Sequence, residues 1–229
     1  MSLLEWEKNR EFLASGLINL YLPIEPVSLQ ASRRKKEVFT SQIHRITSAY
    51  NFILVGDVQI DIEWHIHEQN RYESDSSADV DNIIKPILDA LCGPKGILVN
   101  DCQVQAISCR WIDWESDNQE IIIRIQMFFN DEWLLKSGLI FTHMGKGICY
   151  PILLNDIDPK YTLVILENLE SKIARRDELM SKGMSYYHAQ GVMSIQRVFH
   201  ISRVQDFDII QLNDLKKQLL SESEILKDF

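Results

Sequence analysis

The sequence predicts an α/β (α+β) chain: a small mixed β-sheet with two helices in its first part, then a C-terminal α/β extension. Three observations predict it. Val58 to His67 alternates apolar and polar residues strictly. Asp79 to Leu91 switches to helical spacing. Around these two, the order runs strand, helix, strand, helix, strand, strand.

Taken in order, Leu3 to Leu13 reads as a short appended helix-like stretch. Leu17 to Leu22 is apolar and is stopped by Pro23 and Pro26, which marks a strand. Ser28 to Lys36 is polar, ends in Arg33, Arg34, Lys35 and Lys36, and reads as a solvated loop. Glu37 to Tyr50 follows as an amphipathic helix, with Val38, Ile43, Ile46 and Tyr50 turned inward. In the alternating stretch, Val58, Ile60, Ile62, Trp64 and Ile66 share one face; Gln59, Asp61, Glu63, His65 and His67 share the other. That is the pattern of a half-buried strand. Glu68 to Ala78 reads as a polar loop with one basic residue, Arg71. Ile83, Ile84, Ile87, Leu88 and Leu91 make the apolar stripe of a helix, which Gly93, Pro94 and Gly96 terminate. Val104 to Trp114 and Glu120 to Phe129 predict two strands, and the turn at Glu115 to Asn118 predicts a hairpin. Trp111 and Trp114 read as packing residues, with base stacking as the alternative.

Past Asn130 the pattern weakens. Ile152 to Leu154, Thr162 to Leu166 and Met193 to Ile201 read as short strands, Glu167 to Lys182 and Gln211 to Glu222 as helices. No Pro/Gly/Ser-rich linker marks a boundary, so the division is placed at 130: a domain over 1–130 and an extension over 131–229.

The hydrophobic fraction of 45% and charged fraction of 25% are those of an ordinary globular chain. No apolar run approaches the roughly 20 residues a membrane-spanning helix needs, and the charged opening MSLLEWEKNREF lacks a secretory h-region. A cytoplasmic location with no membrane partner is the expectation. Cys92, Cys102, Cys109 and Cys149 form no C-x-x-C pair and read as buried reduced thiols. A net charge of -9 excludes simple coating of DNA, which needs many phosphate contacts. The acidity is concentrated in residues 1–130, at a balance of -7, against -2 for the rest. Gly145-Lys146-Gly147 lacks the spacing of a phosphate-binding loop.

The chemistry-bearing segment is DVDNIIKPILDAL, followed by VNDCQ. Asp79 and Asp81 stand at a helix start. Two carboxylates about 6 Å apart repel by about 3 kcal/mol at an effective dielectric near 20, but by under 1 kcal/mol in water, so the pair needs a cation only in a cleft. Lys85, four residues after Asp81, shares its helical face; Asp89, four further on, can pair with Lys85. Asp101 lies before a strand, where a loop end can carry it beside the helix. Hard carboxylate oxygens suit Mg²⁺, and a lysine suits developing phosphoryl charge. Pro86 is tolerable if it falls in the first helical turn.

The run D-x-D-N-x-x-K-x-x-x-D-A-L, then D-x-Q, resembles the RusA family of Holliday-junction resolvases. Asp79, Asp81, Asn82, Lys85, Asp89, Ala90, Leu91, Asp101 and Gln103 stand at its positions, and the likeness runs over about residues 17 to 130. Asn100 stands where an acidic residue is often seen. The resemblance implies a small mixed α/β domain that forms a homodimer and nicks four-way or other branched DNA with Mg²⁺, for which Mn²⁺ substitutes. It implies Asp79, Asp81 and Asp101 as metal ligands and Lys85 as a catalytic residue. Arg33, Arg34, Lys35 and Lys36 are the one basic concentration and are expected to contact DNA phosphates. The competing expectation is a non-catalytic module on the same fold that binds DNA structure or a protein partner.

Overall fold

In the computed structural model, which describes residues 15–74, 78–129, 132–154, 158–193 and 198–225, the chain divides into two compact units, Met1–Lys136 and Ser137–Phe229. The opening stretch Leu3 to Leu13 lies outside the described residues. The first unit runs β1 (Leu17–Leu22), α1 (Arg33–Thr47), β2 (Phe52–Leu54), β3 (Val58–His67), α2 (Glu68–Tyr72), α3 (Val80–Leu91), β4 (Val104–Trp114), β5 (Glu120–Met127) and β6 (Trp133–Leu135).

The alternation of β3 earns it the centre of a four-stranded sheet of order β1-β5-β3-β4. Its apolar face, Val58 to Ile66 at every second residue, is fully buried. α1 and α3 pack on that face through Phe39 and Ile43, and through Ile83, Ile87 and Leu91. Strand β4 runs parallel to β3, reached by the crossover through α3, whereas β5 runs antiparallel to β3 and to β1. The sheet is therefore mixed, as expected, but the hairpin is not there: β3 lies between β4 and β5. The Glu115–Gln119 link crosses the end of β3 and is held to it by Trp64 Nε1 donating to Gln119 Oε1 at 2.8 Å. Two strand spacings amount to about 10 Å, well within the reach of five residues. The apolar face of β5 (Ile121, Ile123, Ile125) is completely buried, which the centre of the sheet permits and its edge would not.

Four local expectations change. The helix after the basic run begins at Arg33, not Glu37, because Ser32 caps it by accepting from Lys35 N. Its inward stripe is then Phe39, Ile43 and Thr47, and Val38 is exposed. The polar loop after β3 starts as helix α2, capped by His67 Nδ1 accepting from Gln69 N. Pro86 falls in the interior of α3, not its first turn. The helix tolerates this because the carbonyl deprived of an N–H, that of Asn82, accepts instead from Leu29 N at 2.7 Å. Of the thiols, Cys149 is buried, Cys92 and Cys109 are partly so, and Cys102 is exposed, contrary to expectation.

A ribbon of β2 and β6 closes the unit, with Trp133 edge-on to Phe52 at 5.8 Å between ring centroids. Because β6 pairs there, the unit ends at Lys136, beyond the expected boundary at 130.

The second unit contains β7 (Leu139–His143), β8 (Ile148–Leu153), α4 (Pro159–Ser181), α5 (Tyr186–Ala189), β9 (Phe199–His200), β10 (Ile209–Gln211) and α6 (Leu212–Ile225). Its sheet has the order β10-β7-β8-β9, with β10 parallel to β7. Thr162 to Leu166 is helical, not a strand. Asp158 caps and Pro159 opens α4, and Thr162, Leu166 and Leu169 then share its buried face. Of the strand expected over Met193 to Ile201, residues 194–197 lie outside the described residues and only Phe199–His200 pairs. Gly145-Lys146-Gly147 is the β7–β8 turn. Gly147 has φ 76°, and a Cβ there would stand 2.7 Å from His200 Nε2.

Candidate active site

Asp79 is the N-cap of α3, extended at φ -68° and ψ 153°, with no side-chain capping bond. Asp81 lies inside the first turn of the helix. Both carboxylates are exposed, and among the described residues neither has a hydrogen-bond or ion-pair partner. An anion at a helix amino end is favoured by the unsatisfied N–H groups, which stabilises this placement without a cation.

One helical turn on, Lys85 Nζ donates to Asp89 Oδ1 at 2.5 Å and to Asp101 Oδ2 at 2.8 Å. The sequence expectation that Lys85 and Asp89 pair holds; Lys85 turns to Asp101 rather than to Asp81. Partial burial pulls the Lys85 ammonium down, but the hydrogen bonds to Asp101 and Asp89 outweigh it and its pKa lies above the ordinary lysine value. Lys85 is thus a cation at neutral pH, not a proton acceptor.

Asp101 opens a 3-10 turn, Asp101–Gln103, built as a capping box. Asn100 Oδ1 accepts from Cys102 N, and Gln103 Oε1 accepts from Asn100 N. Asn100 therefore shapes this turn. Gln103, fully buried, also donates to the carbonyls of Leu54 and Gly56 at 2.9 and 2.7 Å. This clamps the start of β4 to the segment between β2 and β3 and fixes where Asp101 stands. Gly96 is needed in the preceding turn, since a Cβ there would stand 2.2 Å from the Leu91 carbonyl oxygen. Cys92, which follows α3, is pushed up to about 12 by burial and by the charges of Asp101 and Asp89, so it stays a thiol.

Among the described residues no three His, Cys, Asp or Glu side chains are gathered closely enough to hold a metal ion. The donor set nonetheless fits a hard cation in kind: two carboxylates without partners, and a third, Asp101, held by a lysine.

Arg33 to Lys36 form the first turn of α1 rather than a loop, with no acidic residue among them. Arg33 pairs with Glu37 at 2.7 Å. Arg34, Lys35 and Lys36 have no ion-pair partner among the described residues. Cations at the positive end of a helix cost stability, the opposite of the usual arrangement. Lys35, Ser28, Gln30 and Trp64 line a cleft of about 480 Å³ together with Ala78, the residue before Asp79. The Leu29–Asn82 hydrogen bond brings the turn before α1 against the start of α3, so Lys35 of the basic turn and Ala78, which precedes Asp79, border one cleft.

The histidines of the β3 polar face sit among polar and charged side chains. Glu63 is held by Arg110 of β4 and by Arg124 of β5 at 2.8 Å, and these hydrogen bonds lower its pKa to about 2. His65 is buried between Glu63 and Glu120, at 3.5 and 3.3 Å, and stacks edge-on against Trp114.

Residues 28–126 match the family model described as Endodeoxyribonuclease RusA. The match spans α1 through most of β5, and so includes Asp79, Asp81, Lys85 and Asp101. No curated protein matches the chain.

Proposed function

We propose that the RusA-like segment makes this chain a divalent-metal-dependent endodeoxyribonuclease that cuts four-way or other branched DNA. The observation that carries the reading is the pair of unpartnered carboxylates at the start of α3, one helical turn from a lysine tied to Asp101.

Asp79, Asp81 and Asp101 are the residues that would hold Mg²⁺, or Mn²⁺ in its place. A bound ion of this kind polarises the phosphoryl oxygen and lowers the pKa of its water. Lys85, kept charged by its two carboxylates, stabilises charge developing on the phosphate. The basic turn at Arg33 to Lys36 takes the neighbouring backbone phosphates, which also relieves the repulsion of these cations at a helix amino end. A homodimer supplies two such sites to symmetric strands of a junction. Among the described residues no helix is long and apolar enough to cross a membrane.

One observation favours a second reading. Asp101 is occupied by Lys85, and no three acidic side chains are gathered among the described residues, as expected of a non-catalytic module that binds DNA structure or a partner. A labelled synthetic four-way junction with Mg²⁺ or Mn²⁺ at low salt decides between them. The nuclease reading expects cleavage that Asp81→Asn lowers by at least about a hundredfold, the scale of losing an electrostatic contributor to catalysis. It also expects a metal-dependent rise in Tm that the same variant loses. No cleavage with either metal and no shift in Tm would leave the second reading standing.

A further inference from the structure

The short helix α2 carries a feature that the metal site does not use. The Arg71 guanidinium lies over the Trp111 ring at 4.5 Å and over the Tyr72 ring at 4.8 Å from their centroids. Asp113 fixes it there, accepting from Arg71 Nη1 at 2.8 Å. Tyr72 is 64% exposed, which leaves aromatic surface facing water. Among the described residues Arg71 Nε and Trp111 Nε1 are buried and have no hydrogen-bond partner, so the stack also holds two unused donors.

The place of this stack narrows what it can hold. Trp111 packs edge-on against Trp64, with centroids 6.3 Å apart, and Trp64 lines the cleft shared by Lys35 and Ala78. Tyr72 itself lies a few residues before Asp79 on the same segment. Flat, sequence-tolerant surfaces of aromatic and guanidinium groups are what single-stranded nucleic acid uses, because every base has a π-face. A base can reach such a surface only when it is out of the duplex, as at a branch point.

We propose that Tyr72, backed by Arg71 and Trp111, is a stacking platform for an unpaired DNA base beside the cleavage site. It rests on the nuclease reading and names the substrate feature that reading leaves open. The platform selects DNA with unstacked bases over continuous duplex, and it does so by binding, independently of the carboxylates.

The test uses the full chain in EDTA, where no cleavage occurs, and four-way junctions carrying 5-iododeoxyuridine at nucleotides flanking the branch. Irradiation is expected to crosslink the modified base to Tyr72. Tyr72→Leu is expected to lower the preference for junctions with unpaired branch bases over matched duplex by about tenfold, and Tyr72→Phe to retain it, because stacking needs the ring and not the hydroxyl. Melting curves of both variants separate a loss of binding from a loss of fold; if Tyr72→Leu unfolds, the crosslink position in the unmodified protein decides. Crosslinks that map away from α2 and β4, or a preference unchanged in Tyr72→Leu, overturn the platform while junction cleavage keeps the nuclease reading intact. Protection of Tyr72 by a second copy of the chain or a protein partner, rather than by DNA, overturns it as well. Failure to bind any branched DNA removes both.

Discussion

A carboxylate gripped by two guanidinium groups makes the sheet sensitive to acid. Glu63 has its pKa lowered from 4.5 to about 2 by hydrogen bonds from Arg110 and Arg124. A depressed carboxylate contributes stability that is complete above its unfolded pKa and is lost as pH falls through the folded one. Both guanidinium groups are about half exposed, so the contribution is modest, on the order of 1 kcal/mol. Glu63→Gln is expected to lower the urea midpoint at pH 7, and the gap between the two proteins to close between pH 4.5 and about 2. A gap that persisted at the acid end would mean that Glu63 acts through shape and not charge. Alternation in β3 puts Glu63 and His65 on the polar face correctly, but it cannot show that they are buried. Their cover comes from Arg110, Arg124 and Trp114, on strands far along the chain.

At the scale of elements, α3 shows how much local sequence determines and where it stops. The stripe from Ile83 to Leu91 and the Gly93–Gly96 stop are visible by spacing alone, and so is the Lys85–Asp89 pair. The tolerance of Pro86 is not, because the partner of the freed Asn82 carbonyl is the amide of Leu29, in another part of the chain. Pro86→Ala restores an intrahelical donor that competes for this carbonyl. The Leu29 amide is then expected to exchange with deuterium about fivefold faster, the worth of a hydrogen bond near 1 kcal/mol, while Tm changes little. Unchanged exchange at Leu29 would show that the contact is held by other packing. The hairpin expected between β4 and β5 failed for a related reason. A short polar link between two strands is compatible with direct pairing and with a step across one intervening strand. The pairing of β3 with β4 on one side and β5 on the other tells them apart, and it is a long-range contact that the link does not encode.

On the scale of the whole molecule, the two units differed in legibility because they differ in element length. β3 and β4 of the first unit are long enough to display a period, whereas β9 and β10 of the second have two and three residues, too few for any period. β6, also three residues long, lies past the expected boundary at 130 and packs into the first unit through Trp133 against Phe52, and Lys136 Nζ donates to the Thr47 carbonyl at 3.0 Å. Residues 1–136 expressed alone are expected to melt at least about 5 °C above residues 1–130, since losing the ribbon removes a few kcal/mol. Equal melting points would place β6 outside the unit's cooperative core. The Leu29–Asn82 bond has a kinetic side as well. Helix α3 can close its early turns from its own residues, except for one carbonyl that waits for a distant amide. Docking of the turn before α1 therefore both satisfies the Asn82 carbonyl and sets Lys35 across the cleft from Ala78.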